Sequence, residues 1–279
     1  MPIAQAVAQA GDFAAAGCRE VVLLGIHLGS YGSETGGEAR LDKVFERLLE
    51  TYPQMRFRLG SLEPMEATAG ILKLIRDYPN ACKHLHLPLQ SGSNKILRLM
   101  NRPYSAGDYQ EKVREVRGLI PDIAITTDII AGFPGEGEED HGESLAFARE
   151  MAFSLIHVFA YSRRPGTPAA DMPGQVKRKD KDLRSKDFRR LSIEARELYG
   201  ESWVGRRQWV LIEEELGGGH WVGHSDNYME VTYLPPQRQQ VDTLDTAMQE
   251  DLRGKLLFLK ITGKSMAKTG AWQGLQEEI

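Results

Sequence analysis

The sequence predicts an α/β protein of parallel strands followed by a small all-β barrel, and three observations carry that expectation. Short apolar runs alternate with helical patterns through the first 161 residues, as strands joined by crossover helices do. A charged run follows at residues 177 to 190. Beyond Gly205 the pattern changes to short strands broken by glycine, proline and polar residues, which reads as a small barrel. With 279 residues, 41% hydrophobic and 27% charged, the chain has ordinary globular composition and a length suited to about two domains.

Taken in order, residues 4 to 16 read as a helix ending near Gly17, and Val21 to Gly25, VVLLG, as the first strand. Ile26 to Gly32 is a glycine-punctuated loop at its carboxyl end. Residues 41 to 51 return to a helical pattern through Leu41, Val44, Phe45, Leu48 and Leu49, apolar at helical spacing. Arg56 to Leu62 is the second strand, closed by Glu63-Pro64, because the residue before a proline is pushed out of the helical region. A helix over Ala69 to Tyr78 leads to His84 to Gln90, HLHLPLQ, whose alternation marks a third strand. The Ser91-Gly92-Ser93 turn opens a helix through Leu99, and another helix covers Ala106 to Leu119.

The fourth strand and its turn are AITTDIIAGFPGE, Ala124 to Glu136. Ile125, Ile129 and Ile130 suit a buried strand; Gly132, Pro134 and Gly135 punctuate it; Glu136, Glu138, Glu139 and Asp140 match the positive end of a helix running to Met151. Ser154 to Tyr161 is the fifth strand. Periodicity does not separate a barrel from an open doubly wound sheet. In both, ligands sit at the carboxyl ends of the strands, which directs attention to Asp128 and the Gly132 to Glu136 turn. Taken alone, the stretch reads as a tight connection whose glycines serve only the turn. The first element is a helix with no strand before it, so a β/α unit is expected to be missing from the N-terminus.

The net charge of −4 argues against a generally basic nucleic-acid binder. Locally the balance differs. Residues 177 to 190, KRKDKDLRSKDFRR, hold eight basic residues against three acidic ones, and Val158 to Arg207 holds thirteen against seven, a local +6. The helix that begins here continues to about Trp203, and its charge suits either a solvated face or a phosphate backbone. From Val204 to Ile279 there are eight basic and eleven acidic residues, so charge alone would not draw RNA to the barrel. No apolar run approaches the ~20 residues of a membrane span, and the N-terminus has no secretory pattern; the expectation is a cytoplasmic protein without a membrane partner. Cys18 and Cys82, 64 positions apart, form neither a disulfide framework nor a metal motif.

Five stretches resemble one family in order: LLGIHLGSYG at 23 to 32, HLHLPLQSGSNKILRLMNRPYS at 84 to 105, TTDIIAGFPGEGEEDHGESLAF at 126 to 147, HVFAYSRRPGTPAADMPGQV at 157 to 176, and GHSDNYMEV at 223 to 231. Together they resemble the radical SAM methylthiotransferases, which add a methylthio group to tRNA adenosines or to a ribosomal protein. The likeness covers residues 3 to 263. The His27 loop and the threonine-rich TTDIIAGFPGE are most similar to the branch acting on N6-threonylcarbamoyladenosine in tRNA. The resemblance implies an incomplete six-strand (β/α) radical SAM barrel over residues 1 to 175 lacking its first strand, a basic connecting helix at 176 to 203, a TRAM-like RNA-binding β-barrel at 204 to 265, and a tail at 266 to 279.

It also implies S-adenosylmethionine and a [4Fe-4S] cluster as cofactors, with tRNA as partner. In the family, a 5′-deoxyadenosyl radical takes hydrogen from adenine C2 before sulfur and methyl are installed. The cluster cysteines, CxxxCxxC, are absent from this chain. No catalytic residue or metal ligand is therefore assigned, and the chain is expected to be a C-terminal portion. The resemblance places Gly25 and His27 near the methionyl end of the cofactor, Ser61 and Glu63 at the next strand end, Gln90 and Ser91 beside the ribose, and Asp128 and Phe133 closer to the nucleoside. For RNA it implicates Arg102, Arg163, Arg164, Lys177, Arg178 and Lys179, with His224, Asn227 and Tyr228 in the barrel. Each has a structural alternative: His27 as a loop cap, Gln90 at a strand edge, Glu63 paired with Arg56 or Arg58, and Arg102 and Arg163 paired with the Glu136 to Asp140 cluster. The competing functions are a non-catalytic RNA-binding remnant, one half of a pair with a polypeptide carrying the missing cluster domain, and a ribosomal-protein methylthiotransferase. Anaerobic iron and sulfide reconstitution of this chain is expected to give no stoichiometric [4Fe-4S] absorbance. A clean cluster spectrum would overturn the reading of the cysteines.

Overall fold

The computed structural model describes residues 1–32, 40–236 and 251–276. Parts of the expected barrel (237–250) and tail (277–279) lie outside them. The amino-terminal half alternates as expected: α1 (Ile3–Ala15), β1 (Glu20–Leu23), α2 (Leu41–Thr51), β2 (Arg56–Leu59), α3 (Ala69–Asp77), β3 (His84–His86), α4 (Asn94–Leu99), α5 (Ala106–Leu119), β4 (Ala124–Ala131), α6 (Glu138–Glu150) and β5 (Leu155–Ala160). A short α7 (Pro168–Asp171) leads to the long α8 (Arg178–Glu201), the basic connecting helix.

All five strands run parallel. β1 pairs with β2, and β3, β4 and β5 form a second ladder. Isolated bridges Phe57↔Ala81 and Ser61↔His86 join the two into the single order β1 to β5. The third strand is shorter than its sequence pattern, and Pro88 is the reason: it has no N–H for the ladder. The Thr127 hydroxyl bridges the interruption, accepting from Leu89 N (2.8 Å) and donating to Leu87 O (2.8 Å). Ladder pairing resumes at Gln90↔Ile129.

The strand pleat sends alternate residues to opposite faces. Phe57, Leu59, Leu85, Ile125 and Ile129 join Phe45, Leu72, Tyr109 and Phe153 in one core under the helices, where each fully buried large side chain contributes about 1.5–3 kcal/mol. Helix ends are fixed locally. Ser105 and Asp108 form a capping box at α5, and Asp140 accepts from Gly137 N at α6 (2.8 Å), satisfying first-turn N–H groups that have no partner inside the helix. None of the described helices is long and apolar enough to cross a membrane.

The carboxyl-terminal half is a closed barrel with strand order β10-β8-β7-β6-β9, built from β6 (Arg207–Gly217), β7 (His220–Ser225), β8 (Glu230–Tyr233), β9 (Leu256–Lys264) and β10 (Trp272–Leu275). The last strand corrects the expectation that 266 to 279 is a tail. Its Trp-Gln-Gly-Leu sequence hides its character because Gly274 weakens any strand signal. That glycine is required by packing: a Cβ there would stand 2.8 Å from Leu259 and 2.9 Å from Val231. Val210, Ile212, Trp221, Val231, Leu259, Ile261 and Trp272 fill the barrel.

A buried ion cluster clamps the barrel to the sheet. Arg56 and Arg58, on the face of β2 opposite the helices, both pair with Glu20 of β1, at 2.5 and 2.8 Å. Both also donate to barrel carbonyls: Arg56 to Trp209 (2.8 Å) and His224 (3.1 Å), Arg58 to Asp226 (2.9 Å) and Ser225 (3.1 Å), while Arg56 Nε is buried with no described partner. Burial acts to raise the Glu20 carboxyl, but the Arg58 and Arg56 guanidiniums outweigh it and hold it below its ordinary value. Because the folded value lies below the usual ~4.3 of a glutamate, this stabilisation is present above that pH and is lost as pH falls through the lower folded value. Arg58→Ala is expected to cost about 3–5 kcal/mol by leaving Glu20 with Arg56 alone and the Asp226 and Ser225 carbonyls without their donor. Thermal unfolding followed at pH 7 and again below pH 4 checks both statements; an unchanged midpoint in Arg58→Ala would remove the clamp from the account.

Candidate functional site

The sheet has an inner face, opposite the helices, and the barrel closes only its amino-terminal part. The carboxyl ends of β1 to β5 form the open rim. Strand pairing brings Leu24 beside Gly60, Ser61 beside His86, Gln90 beside Ile129, and Ile130 beside Phe159. Leu24, Ile26 and Phe159 are exposed there, apolar surface beside polar strand ends.

Asp128 lies on the inner face of β4 with Thr126 and Ile130, since Ile125, Thr127, Ile129 and Ala131 point to the helices. Its carboxylate stands 3.3 Å from Nε2 of His86, and the His86 ring lies edge-on to His157 at 5.6 Å. Burial, with His86 as a neighbour, lowers the His157 pKa below its ordinary value against the opposing pull of Asp128. Gln90 is held against Asp128 through the backbone: its N–H donates to Asp128 O (2.8 Å) and its carbonyl accepts from Ile130 (2.9 Å). It has a φ of 67°, a left-handed conformation costing a non-glycine residue about 1 kcal/mol or more, of the kind stored at functional sites.

Glu63 does not pair with Arg56 or Arg58; those serve the clamp. It pairs with Arg102 at 2.8 Å, while its second carboxylate oxygen is buried without a partner among the described residues. Two residues expected in different roles, cofactor and RNA, are thus one ion pair. Ser61 is exposed, and its backbone bridges to His86. Gly25 and His27 follow a strand that ends at Leu23. His27 is two-thirds exposed, with Nδ1 4.0 Å from Glu66.

The Gly132 to Glu136 turn is braced from α8. Glu136 accepts from Gly132 N (2.9 Å) and pairs with Arg184 (2.9 Å), which also reaches Glu138. Burial raises the Glu136 carboxyl against the Gly132 N–H and Arg184. Gly132 has φ 76°, and a Cβ there would meet the Lys181 side chain at 2.2 Å, so the turn requires glycine both for conformation and for space. Phe133 is buried edge-on to Tyr161 at 5.3 Å, and the Tyr161 hydroxyl is buried with no described partner. Lys181 donates to Tyr161 O (3.0 Å).

The structure corrects several expected assignments. Ser91 is buried and faces α6, its hydroxyl 2.9 Å from that of Ser144 and accepting from Ser93 N, because the N–H groups of the Ser-Gly-Ser turn need acceptors there. Asn227 is 1% exposed and donates to the Tyr199 hydroxyl (2.9 Å). Tyr228 is stacked between His84 (4.8 Å) and His224 (5.1 Å) under the Arg58 guanidinium, and His224 is tied to Glu213 at 2.8 Å. His224 and Tyr228 lie at the joint with the sheet, Tyr228 with 42% of its surface exposed, while Asn227 is buried against α8 and out of reach of RNA. Arg163 pairs with Asp171 (3.5 Å), and Asp140 with Lys95 (2.7 Å), so the Glu136 to Asp140 cluster engages neither Arg102 nor Arg163. Arg163, Arg164, Lys177, Arg178 and Lys179 are exposed.

Sequence reasoning missed His86, His157, Thr126 and Arg184. The HLH alternation was the available signal, since it sets His84 and His86 on one face. The site fits the organic cofactor and not the cluster. Asp128, the free oxygen of Glu63 and the Tyr161 hydroxyl offer polar partners beside apolar surface. Cys18 and Cys82 precede β1 and β3 at the opposite, amino-terminal ends of the strands. Burial pushes the Cys82 thiol up to about 12, against thiolate formation, and among the described residues no group of three or more His, Cys, Asp or Glu could hold a metal.

The chain matches the radical SAM superfamily over residues 1–148. It is 33% identical over 266 residues to the threonylcarbamoyladenosine tRNA methylthiotransferase MtaB of Bacillus subtilis (strain 168), covering 92% of this chain and 55% of that protein. It is 41% identical over 203 residues to a tRNA-2-methylthio-N(6)-dimethylallyladenosine synthase of Thermobifida fusca (strain YX), covering 73% of this chain and 41% of that protein. To MtaB of Thermotoga maritima it is 35% identical over 219 residues, covering 78% and 50%. It therefore spans about half the length of these curated relatives. With five parallel strands carrying a polar rim, and that match over more than half of its residues, the chain belongs to the radical SAM superfamily.

Proposed function

We propose that this chain supplies the S-adenosylmethionine platform and the tRNA-binding surface of a cytoplasmic methylthiotransferase that modifies C2 of an N6-substituted adenosine. The observation that carries this reading is the rim, whose strand ends carry Glu63 with a second carboxylate oxygen that has no described partner, Gln90 joined to Asp128 through the backbone, and the partly exposed Asp128 carboxylate, beside exposed apolar side chains. Asp128 and the free Glu63 oxygen accept from the cofactor's ammonium or ribose hydroxyls, Gln90 both donates and accepts, and Leu24, Ile26 and Phe159 give adenine an apolar surface. N6-threonylcarbamoyladenosine is the substrate we favour, on the likeness of the His27 loop and of TTDIIAGFPGE to that branch and on the MtaB relatives.

Residues 1–175 act as the partial radical SAM barrel, 176–203 as the basic connector, and the barrel from 204 onward as a TRAM-like module. Arg163, Arg164, Lys177, Arg178 and Lys179 carry exposed positive charge near the same rim, where β5 ends and α8 begins. Phosphate contacts of this kind position RNA without reading its sequence. The cluster's thiolates are not among this chain's residues, and the radical step needs them from elsewhere, whether a preceding segment or a second polypeptide.

Two measurements test the proposal. S-adenosylhomocysteine is expected to bind the chain in calorimetry, and Glu63→Gln, which removes a charged acceptor, to weaken binding by about 1.5–3 kcal/mol. Binding of tRNA is expected to fall when Arg163, Arg164, Lys177, Arg178 and Lys179 are replaced by alanine, with the log–log salt slope shrinking by about 0.7–0.9 per lost phosphate contact. Retained tRNA binding with no cofactor binding would favour a non-catalytic RNA-binding protein; unchanged tRNA binding in the variant would leave the basic segment as a solvated face.

A further inference from the structure

Thr126 sits between two imidazoles on the inner face. Its hydroxyl oxygen is 2.9 Å from Nε2 of His84 and 2.9 Å from Nδ1 of His86, and Nε2 of His86 faces Asp128 at 3.3 Å. The order of hydrogens along this string follows from what each group can do. A carboxylate only accepts, so the His86 nitrogen facing Asp128 carries the hydrogen, since a bare lone pair there would be repelled. When the ring carries a single hydrogen, its other nitrogen, Nδ1, is then an acceptor, and the Thr126 hydroxyl donates to it. With its single hydrogen committed, Thr126 accepts from His84 Nε2–H.

That order makes Nδ1 of His84 the bare nitrogen, and Nδ1 of His84 is buried with no described partner. Burial, and then the charge of Arg58, hold the His84 pKa well below its ordinary value, consistent with a neutral ring. The barrel closes the far end of the string. Tyr228 stacks on His84 at 4.8 Å, and Arg58 lies over the Tyr228 ring at 5.0 Å. The open end is Asp128, partly exposed at the rim.

We propose that His86, held by Thr126, is a positioning residue for the rim: it turns an N–H to one side of Asp128, so that the carboxylate is presented to an N–H or O–H of a nucleoside-type ligand. The role rests on the reading that the rim binds adenosylmethionine. Thr126 and His84 fix the tautomer of His86, and the barrel fixes His84, so the joint between the two halves of the protein also sets the geometry of the site.

Nitrogen-15 NMR of histidine-labelled full chain reads the ring tautomers. Both His84 and His86 are expected as Nε2–H tautomers. His86 is expected to become a mixture in Thr126→Val and to return to one form in Thr126→Ser. In calorimetry with S-adenosylhomocysteine, Thr126→Val and His86→Phe are expected to lose about tenfold in affinity, about 1.4 kcal/mol, and Thr126→Ser to stay within about twofold. An Nδ1–H tautomer at His86 in the unsubstituted chain overturns the hydrogen-bond order. Equal affinity across the unsubstituted chain, Thr126→Val and His86→Phe overturns the positioning role. No binding by the unsubstituted chain, with the Nε2–H tautomers present, overturns the adenosylmethionine reading and the role that rests on it, while the tautomer order stands.

Discussion

The arrangement of this protein depends on the buried contact of Glu20 with Arg56 and Arg58. Three charges removed from water are a weak source of net stability, because desolvation cancels much of their attraction. Their effect is geometric. A guanidinium offers five N–H donors in a rigid fork, and these two use them both on the carboxylate of the neighbouring strand and on four barrel carbonyls. The barrel turn at Ser225 to Tyr228 is thereby fixed against the inner face, the amino-terminal part of that face is closed, and the carboxyl rim is left as its open part.

A second constraint divides the basic helix. Arg184 and Lys181 turn inward and brace the turn after β4, through Glu136 and through the carbonyl of Tyr161. Lys177, Arg178 and Lys179 remain exposed. The local excess of positive charge therefore has two uses, one internal and one at the surface. Charge counting along the chain cannot separate them, because the division depends on which turn of the helix meets the sheet.

The same logic explains which site residues were legible. Gln90 and Asp128 follow from strand ends, and the structure joins them by a backbone hydrogen bond. Glu63 with Arg102 was not legible, since 39 positions separate the partners. Ser91 misled because a serine in a glycine turn has the chemistry of a ligand and, here, the duty of satisfying the turn's own N–H groups. Asn227 misled in the same way: a polar group suited to RNA is consumed by its bond to Tyr199 of α8, whereas Tyr228, stacked on His84 and His224, keeps 42% of its surface exposed.

What the sequence determined by itself is the order and kind of its elements: apolar periodicity of two or 3.6 residues, proline and glycine punctuation, and capping residues are local, and local chemistry is read directly from neighbours along the chain. It missed the strand at Trp272–Leu275, where Gly274 serves a contact with distant Leu259 and Val231. Only the tertiary structure decided how the polar groups are spent. The clamp of Glu20 with two arginines, the string from His84 through Thr126 to Asp128, and the split of the basic helix all join residues far apart in the chain, and a buried donor or acceptor takes whichever partner packing brings within about 3 Å.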